Sequence, residues 1–152
     1  MQELGKEEII RILETVPDGM LGLCDNSKPY CIPFGFVWTN DSIYLSLFQA
    51  GRKWDIIQNN PLACFTVYCW NADHTRWSSV ILEGELTAVD DLSEIELMIR
   101  ANIAKMGLDP EAYLSKRMEY YRANQNNPKG LKSFKIRAAS IQGRSMATHI
   151  GK

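Results

Sequence analysis

The chain has no run of about 18 apolar residues, so nothing in it reads as a bilayer-spanning helix. The acidic, amphipathic start, Met1 to Glu14, lacks the basic-then-apolar layout of a signal peptide, which leads us to expect a cytoplasmic protein. Histidine is scarce: only His74 and His149 occur, neither with a partner at metal-ligand spacing, so His74 reads as a solvated loop residue and His149 as part of a mobile tail. The four cysteines, Cys24, Cys31, Cys64 and Cys69, match neither paired zinc knuckles nor a thioredoxin motif, and read as buried, reduced thiols. No nucleophile elbow, Walker loop or G-x-G-x-x-G is present. Charge of one sign is also lacking. Seventeen Lys and Arg oppose eighteen Asp and Glu for a formal net charge of −1, without the global pull expected of a dedicated nucleic-acid binder.

What is present is an ordinary globular composition, 45% hydrophobic and 23% charged. In 152 residues it gives one domain over residues 1–152, with no internal repeat or linker. Residues 3–14 place Ile9, Ile10 and Leu13 on one face of a helix closed by Pro17-Asp18-Gly19. Strand-like stretches follow at Met20–Asp25, Tyr30–Trp38, Ile43–Phe48 and Leu62–Trp70, rich in β-branched and aromatic residues. Turn residues at 25–28 and 39–42 make the first three an antiparallel meander. A short helix, Arg52–Asn59, separates the third strand from the fourth and stops at Asn60-Pro61.

The longest strand is expected at Trp77–Val89, with Gly84 as a bulge or bend where the sheet curls. Residues 91–106 read as a helix ended by Gly107, and Asp109-Pro110 supplies an N-cap and first-turn proline for another, reaching about Ala123. Phe134, Ile136 and Ala138 then alternate with Lys135, Arg137 and Ala139 as a sixth strand. The sum is mainly β: a six-stranded antiparallel barrel with flanking helices.

Three stretches carry possible chemistry. In Phe48-Gln49-Ala50-Gly51-Arg52-Lys53-Trp54-Asp55 a strand turns through Gly51 straight into a helix whose first turn holds two cations, where the helix dipole disfavours them by roughly 0.3–1 kcal/mol each. A phosphate there would reverse that sign and satisfy the exposed amides. The plainer alternative is that Arg52 and Lys53 are solvated and point away. Tyr30-Cys31-Ile32-Pro33-Phe34-Gly35-Phe36 is a strand with a central proline, which belongs on an edge, where freed backbone groups can meet a flat polar ring. Arg76-Trp77-Ser78-Ser79-Val80-Ile81 opens the longest strand with an aromatic and two hydroxyls, which also fit a solvent-facing stripe. Glu83 and Glu85 share a strand face without other support for a carboxylate-pair hydrolase. The basic residues between Lys116 and Arg137, with no aromatic nucleic-acid motif among them, read as a helix surface.

The order helix, meander, G-R-K helix, strand, long strand, helices, last strand resembles the FMN-binding split barrel of the pyridoxamine 5′-phosphate oxidase-like superfamily over nearly the whole chain. Ile43 to Asp55, then Asn59-Asn60-Pro61-Leu62-Ala63-Cys64-Phe65, and Trp77-Ser78-Ser79-Val80-Ile81-Leu82-Glu83-Gly84 resemble its nitroimidazole-resistance branch. The resemblance implies a phosphate grip by Gly51, Arg52 and Lys53, a ring facing the backbone of Ile32, Pro33 and Phe34, and polar contacts from Ser46, Trp77, Ser78 and Ser79. It also implies a homodimer with two flavins at the subunit interface, partly built by the second copy. That branch often shows His where this chain has Ser46, a departure that bears on that branch's nitro-reducing chemistry and not on the FMN binding the resemblance implies.

The expected activity is FMN-dependent hydride or electron transfer between NAD(P)H or a similar donor and a small substrate, with few obligatory catalytic side chains because the cofactor carries the chemistry. Two alternatives remain: a non-catalytic flavin-binding protein for storage or sensing, and a barrel of this type holding haem or deazaflavin. Haem would want an axial ligand that the two histidines are poorly placed to supply.

Overall fold

The computed structural model describes residues 1–148. Its elements are β1 (Gln2–Glu3), α1 (Lys6–Thr15), β2 (Asp18–Asp25), β3 (Lys28–Gly35), β4 (Val37–Thr39), β5 (Ser42–Phe48), α2 (Gly51–Asn59), β6 (Leu62–Trp70), β7 (Arg76–Val89), α3 (Leu92–Lys105), α4 (Pro110–Asn124) and β8 (Leu131–Ala147). His149 lies outside the described residues. Among those described, no helix is long and apolar enough to cross a membrane.

The strands form one antiparallel sheet ordered β3-β2-β6-β7-β8-β5-β4, with β1 also paired to β8. β3 and β4 stand at opposite ends of that path, yet only Phe36 separates them in sequence. The two ends of the sheet are therefore drawn together in space, and the sheet curls into a barrel left open at that corner. Among the described residues this is a split barrel with eight strands rather than six. Two differences explain the count. Residues 30–38, expected as one strand, change partner at Gly35-Phe36, β3 pairing with β2 and β4 with β5. The two-residue β1 adds an edge along β8. The meander consequently passes through the corner instead of lying flat.

The curl has a local cause at the expected place. The β7–β8 register shifts between Glu83 and Gly84: Glu83 faces Ser140 and Gly84 faces Ala138, so Ala139 is the extra residue of a bulge. A Cβ on Gly84 would lie 2.7 Å from the Arg137 carbonyl oxygen, so only glycine permits this approach.

Two apolar cores result. Inside the barrel, Leu21, Leu23, Ile43, Leu45, Leu47, Phe65, Val67, Val80, Leu82, Phe134 and Ile136 meet α1 and α2. Outside it, Val37, Tyr44 and Val89 are covered by Ile95, Met98, Ile99 and Ile103 of α3 and Met118 of α4. β5 is thus buried on both faces, which accounts for its nearly unbroken apolar run. α3 and α4 are capped by Asp91, which accepts from the amides of Ser93 and Glu94, and by Asp109, which accepts from that of Glu111. Tyr44 and Lys135 both donate to Glu94 Oε1, at 2.7 and 2.5 Å, and pin α3 to β5 and β8.

The thiols depart from expectation. All four are free, but Cys31 is exposed and the others are half-buried. Cys31 lies in edge strand β3, opposite Gly22, which offers no side chain to cover it. Burial pushes the Cys64 and Cys69 thiols up from their ordinary range.

Candidate functional site

The open corner of the barrel forms a cleft of about 890 Å³. Phe34, Gly35, Phe36 and Val37 line the corner itself, Tyr44, Leu45 and Ser46 one wall, and Met98, Ile99, Asn102, Lys105, Arg117, Tyr120 and Tyr121 the helical roof. The volume falls within the range of small-molecule sites. Ser46 of the cleft wall and the buried Ser133 behind it, opposite each other in the β5–β8 ladder, bring their hydroxyls to 2.8 Å, and both reach the Tyr121 hydroxyl of the cleft lining at 3.1 and 3.2 Å. Three hydroxyls that share hydrogens among themselves can turn a donor or an acceptor toward a ligand.

Beyond Phe48, the chain leaves β5 and turns into α2. Gln49 ties this turn to the α4–β8 loop by donating to the carbonyls of Asn127 and Gly130 at 2.9 and 3.2 Å. Ala50 is the N-cap and offers no side-chain acceptor, and no acidic residue occupies the first turn. The first amides of α2 therefore lack the side-chain cap that serves α3 and α4. Gly51 has φ +82°, the left-handed region, with open space where a Cβ would stand.

Arg52 turns back onto the β2–β3 hairpin, its guanidinium 4.5 Å above the Tyr30 ring and 3.9 Å from Asp25. Lys53 is half-buried. Arg52 thus sits against the β2–β3 hairpin, and Lys53 follows it in the first turn of α2, a few residues beyond Ser46.

The structure brings Phe34 and Ser46 together in the cleft and places Gly51, Arg52 and Lys53 on the turn beyond it. Ile32 and Phe34 pack toward the barrel core, whereas Pro33, opposite the exposed Met20, looks outward from the edge strand. Trp77, Ser78 and Ser79 lie apart from the cleft, where β7 pairs with Trp70, Cys69 and Tyr68 of β6. Successive strand residues face opposite sides. Ser78 shares the side of the buried Val80, and Ser79 shares that of the exposed Ile81, so the two hydroxyls cannot serve one ligand from one face.

Two cleft residues escaped the sequence reading. Arg117 belongs to the basic group taken as helix surface, yet it turns into the cleft and donates to Asn102 Oδ1. Lys105 carries no distinguishing mark in the sequence. Its Nζ donates to the Phe36 carbonyl at 2.8 Å and lies 3.8 Å above the Phe36 ring. Burial lowers its pKa from the ordinary 10.5 to about 8, against a smaller opposing pull from Asp18. The available signal was the apolar stripe of α3, which told that the helix had a buried side without telling which cleft its end would roof.

A split barrel with a roofed corner cleft defines the fold class. The sequence profile described as pyridoxamine 5′-phosphate oxidase matches residues 5–144, and the chain belongs to that family. No curated protein matched the chain. Among solved structures, it is similar to an FAD-binding protein from Mesorhizobium loti, with a TM-score of 0.66 at 19% identity, over 96% of this chain and 98% of that one. A candidate 5-nitroimidazole antibiotic resistance protein from Bacteroides thetaiotaomicron gives 0.68 at 20%, over 95% and 86%. An FAD and haem binding protein from Mycobacterium smegmatis gives 0.67 at 13%, over 95% and 73%. At these identities the likeness is one of fold.

Proposed function

We propose that the chain binds FMN and acts as an oxidoreductase on a small organic substrate, with NAD(P)H or a similar reductant as donor. The observation that carries this reading is the turn into α2. Uncapped amides, a glycine with open space above it and two adjacent cations make a cradle suited to a phosphate monoester dianion. Family membership supplies the context.

In this reading Gly51, Arg52 and Lys53 hold the phosphate, with Arg52 leaving Asp25 to do so. The backbone of Ile32, Pro33 and Phe34 at the edge strand, together with Ser46, faces the ring. FMN, when bound, supplies the hydride or electron transfer. The chain's own residues bind and orient: the Ser46 and Tyr121 hydroxyls, backed by Ser133, offer hydrogen bonds, and Met98 and Ile99 of the α3 roof exclude water.

Trp77 and Ser79 contribute through a homodimer, built on the outer sheet face where Tyr68, Trp70 and Ile81 are 64, 41 and 44% exposed, whereas Ser78, on the side of the buried Val80, takes no part in that face. Haem is the weaker reading because His74, the histidine among the described residues, lies in the β6–β7 turn with its ring 5.9 Å from that of Trp70, outside the cleft.

The test compares FMN with riboflavin, which lacks the phosphate. Replacing Arg52 and Lys53 together by Ala weakens FMN by about tenfold or more, the scale of a charge-assisted hydrogen bond, and leaves riboflavin unchanged. Equal loss for both ligands rejects the cradle. Anaerobic bleaching of the yellow protein by NAD(P)H supports an enzyme; persistent colour with every reductant tried assigns a flavin carrier instead.

A further inference from the structure

Of the two cations that open α2, one is already engaged. The Arg52 guanidinium lies 3.9 Å from the Asp25 carboxylate and 4.5 Å above the Tyr30 ring, and both neighbours belong to the β2–β3 hairpin. Lys53 has no carboxylate within ion-pair distance among the described residues. The hairpin also meets the far end of the helix, where Asn60 Nδ2 donates to the Cys24 carbonyl at 3.2 Å. On the opposite side, Gln49 fastens the turn to the α4–β8 loop. With the backbone held from both sides, the Arg52 side chain is the part left to move.

A guanidinium offers one set of donors, and a carboxylate and a phosphate monoester compete for it. Lys28 stands directly opposite Asp25 in the hairpin ladder, so a cation stays beside that carboxylate when Arg52 leaves. The contact is half-exposed and therefore weak, which makes it reversible. It still has a cost for the ligand, because affinity for a phosphate falls with the fraction of molecules whose guanidinium is free. A flavin without a phosphate does not call on Arg52 and escapes that cost.

We infer that Asp25 competes with the cofactor's phosphate for Arg52, so that it loosens the grip on FMN and FMN loading parts α2's first turn from the β2–β3 hairpin. This rests on the reading of the Gly51-Arg52-Lys53 turn as the phosphate cradle, and it names the residue that sets how readily the cofactor exchanges. Asp25 acts through Arg52 and is a positioning residue.

The test is titration of the full chain with FMN and with riboflavin, followed by quenching of flavin fluorescence. Asp25→Asn is expected to tighten FMN about two- to fivefold, the range of an exposed ion pair, and to leave riboflavin unchanged. Asp25→Ser gives the same gain, which guards against an effect peculiar to asparagine. Asp25→Glu keeps the charge and stays near the wild-type affinity. In an Arg52→Gln background, Asp25→Asn loses most of its effect, because the group competed for is gone.

Unchanged or weaker FMN binding in both neutral variants, or an equal gain for riboflavin, overturns the inference. So does a gain undiminished in the Arg52→Gln background, which assigns plain repulsion between carboxylate and phosphate. Failure of the cofactor reading looks different: neither flavin is quenched by the wild type or by any variant, and both readings fall together. Failure of the competition alone leaves FMN bound and indifferent to the residue at position 25.

Discussion

Gly51 holds a backbone conformation that L side chains rarely adopt, in a place where a side chain would meet nothing. Strain and steric conflict are therefore separable there. Gly51→Ala should lower stability by about 1 kcal/mol through backbone strain alone, read as a shift in the urea midpoint with an unchanged slope. A much larger loss would mean that the turn is packed more tightly than the open space around it indicates. Lys105 gives a second test at this scale, with a defined sign. Its folded pKa is about 8 against an ordinary 10.5, so between those values the unfolded chain holds a proton that the folded chain has released. The cost of burying the charge is fully present below pH 8, and stability contributed by this group rises as pH climbs from 8 toward 10.5. Asp18 on β2 and Arg117 on α4 are the charged groups sharing its cleft. Urea unfolding at pH 7.5 and 9.5 should show the wild type gaining on Lys105→Met across that interval; parallel behaviour would place the amine in ordinary solvent.

At the scale of elements, α3 is fastened by one carboxylate. Glu94 accepts from Tyr44 of β5 and Lys135 of β8, and those bonds, the lysine's foremost, hold its pKa below the usual carboxylate range. A depressed acid contributes stability above its unfolded pKa and loses it as pH falls through the folded value. Lys135→Met should therefore cost on the order of 1 kcal/mol at neutral pH and flatten the acid limb of the stability curve below the ordinary glutamate value of 4.5, measured by thermal melts. An unchanged limb would show that Glu94 does not fasten the helix. These elements also show what the sequence made legible. α3 and α4 are legible to within a residue or two because their signals are local chemistry: the apolar spacing of Ile95, Met98, Ile99 and Ile103 with the Gly107 stop for α3, and the Asp109-Pro110 cap for α4. The break at Phe36 was not visible, because a change of pairing partner is decided by strands distant in sequence. Nor was the extension of β8 to Ala147, whose small and polar second half is held by pairing along β7. The turn at Gly51-Arg52-Lys53 stood out as a local conflict between charge and dipole. Lys105 and Arg117 did not, since only the packing of α3 and α4 over β5 turns them into one cleft.

For the molecule as a whole, the outer face of β6, β7 and β8 is the feature most in need of a cause. The ladder aligns Tyr68 with Ser79 and Arg144, Trp70 with Trp77 and Met146, and Thr66 with Ile81, so exposed aromatic and aliphatic groups from three strands form one patch. Solitary exposed apolar residues are ordinary; a contiguous group across neighbouring strands marks an interface. A two-fold pairing through this face suits the symmetry of most small oligomers, because one patch then covers itself. It would also bury Ser79 and Trp77, giving a flavin-site role to residues that one copy leaves outside the cleft. Tyr68→Glu combined with Ile81→Glu places like charges on both sides of such an interface and should convert a dimer to a folded monomer in sedimentation velocity, with a native circular dichroism spectrum. If Ser79 and Trp77 reach the flavin only through the second copy, FMN affinity should fall in the same variant by a factor that shrinks at high protein concentration, as mass action restores the dimer. A wild-type protein that sediments as a monomer at tens of micromolar would remove the dimer and return Trp77 and Ser79 to an ordinary exposed strand.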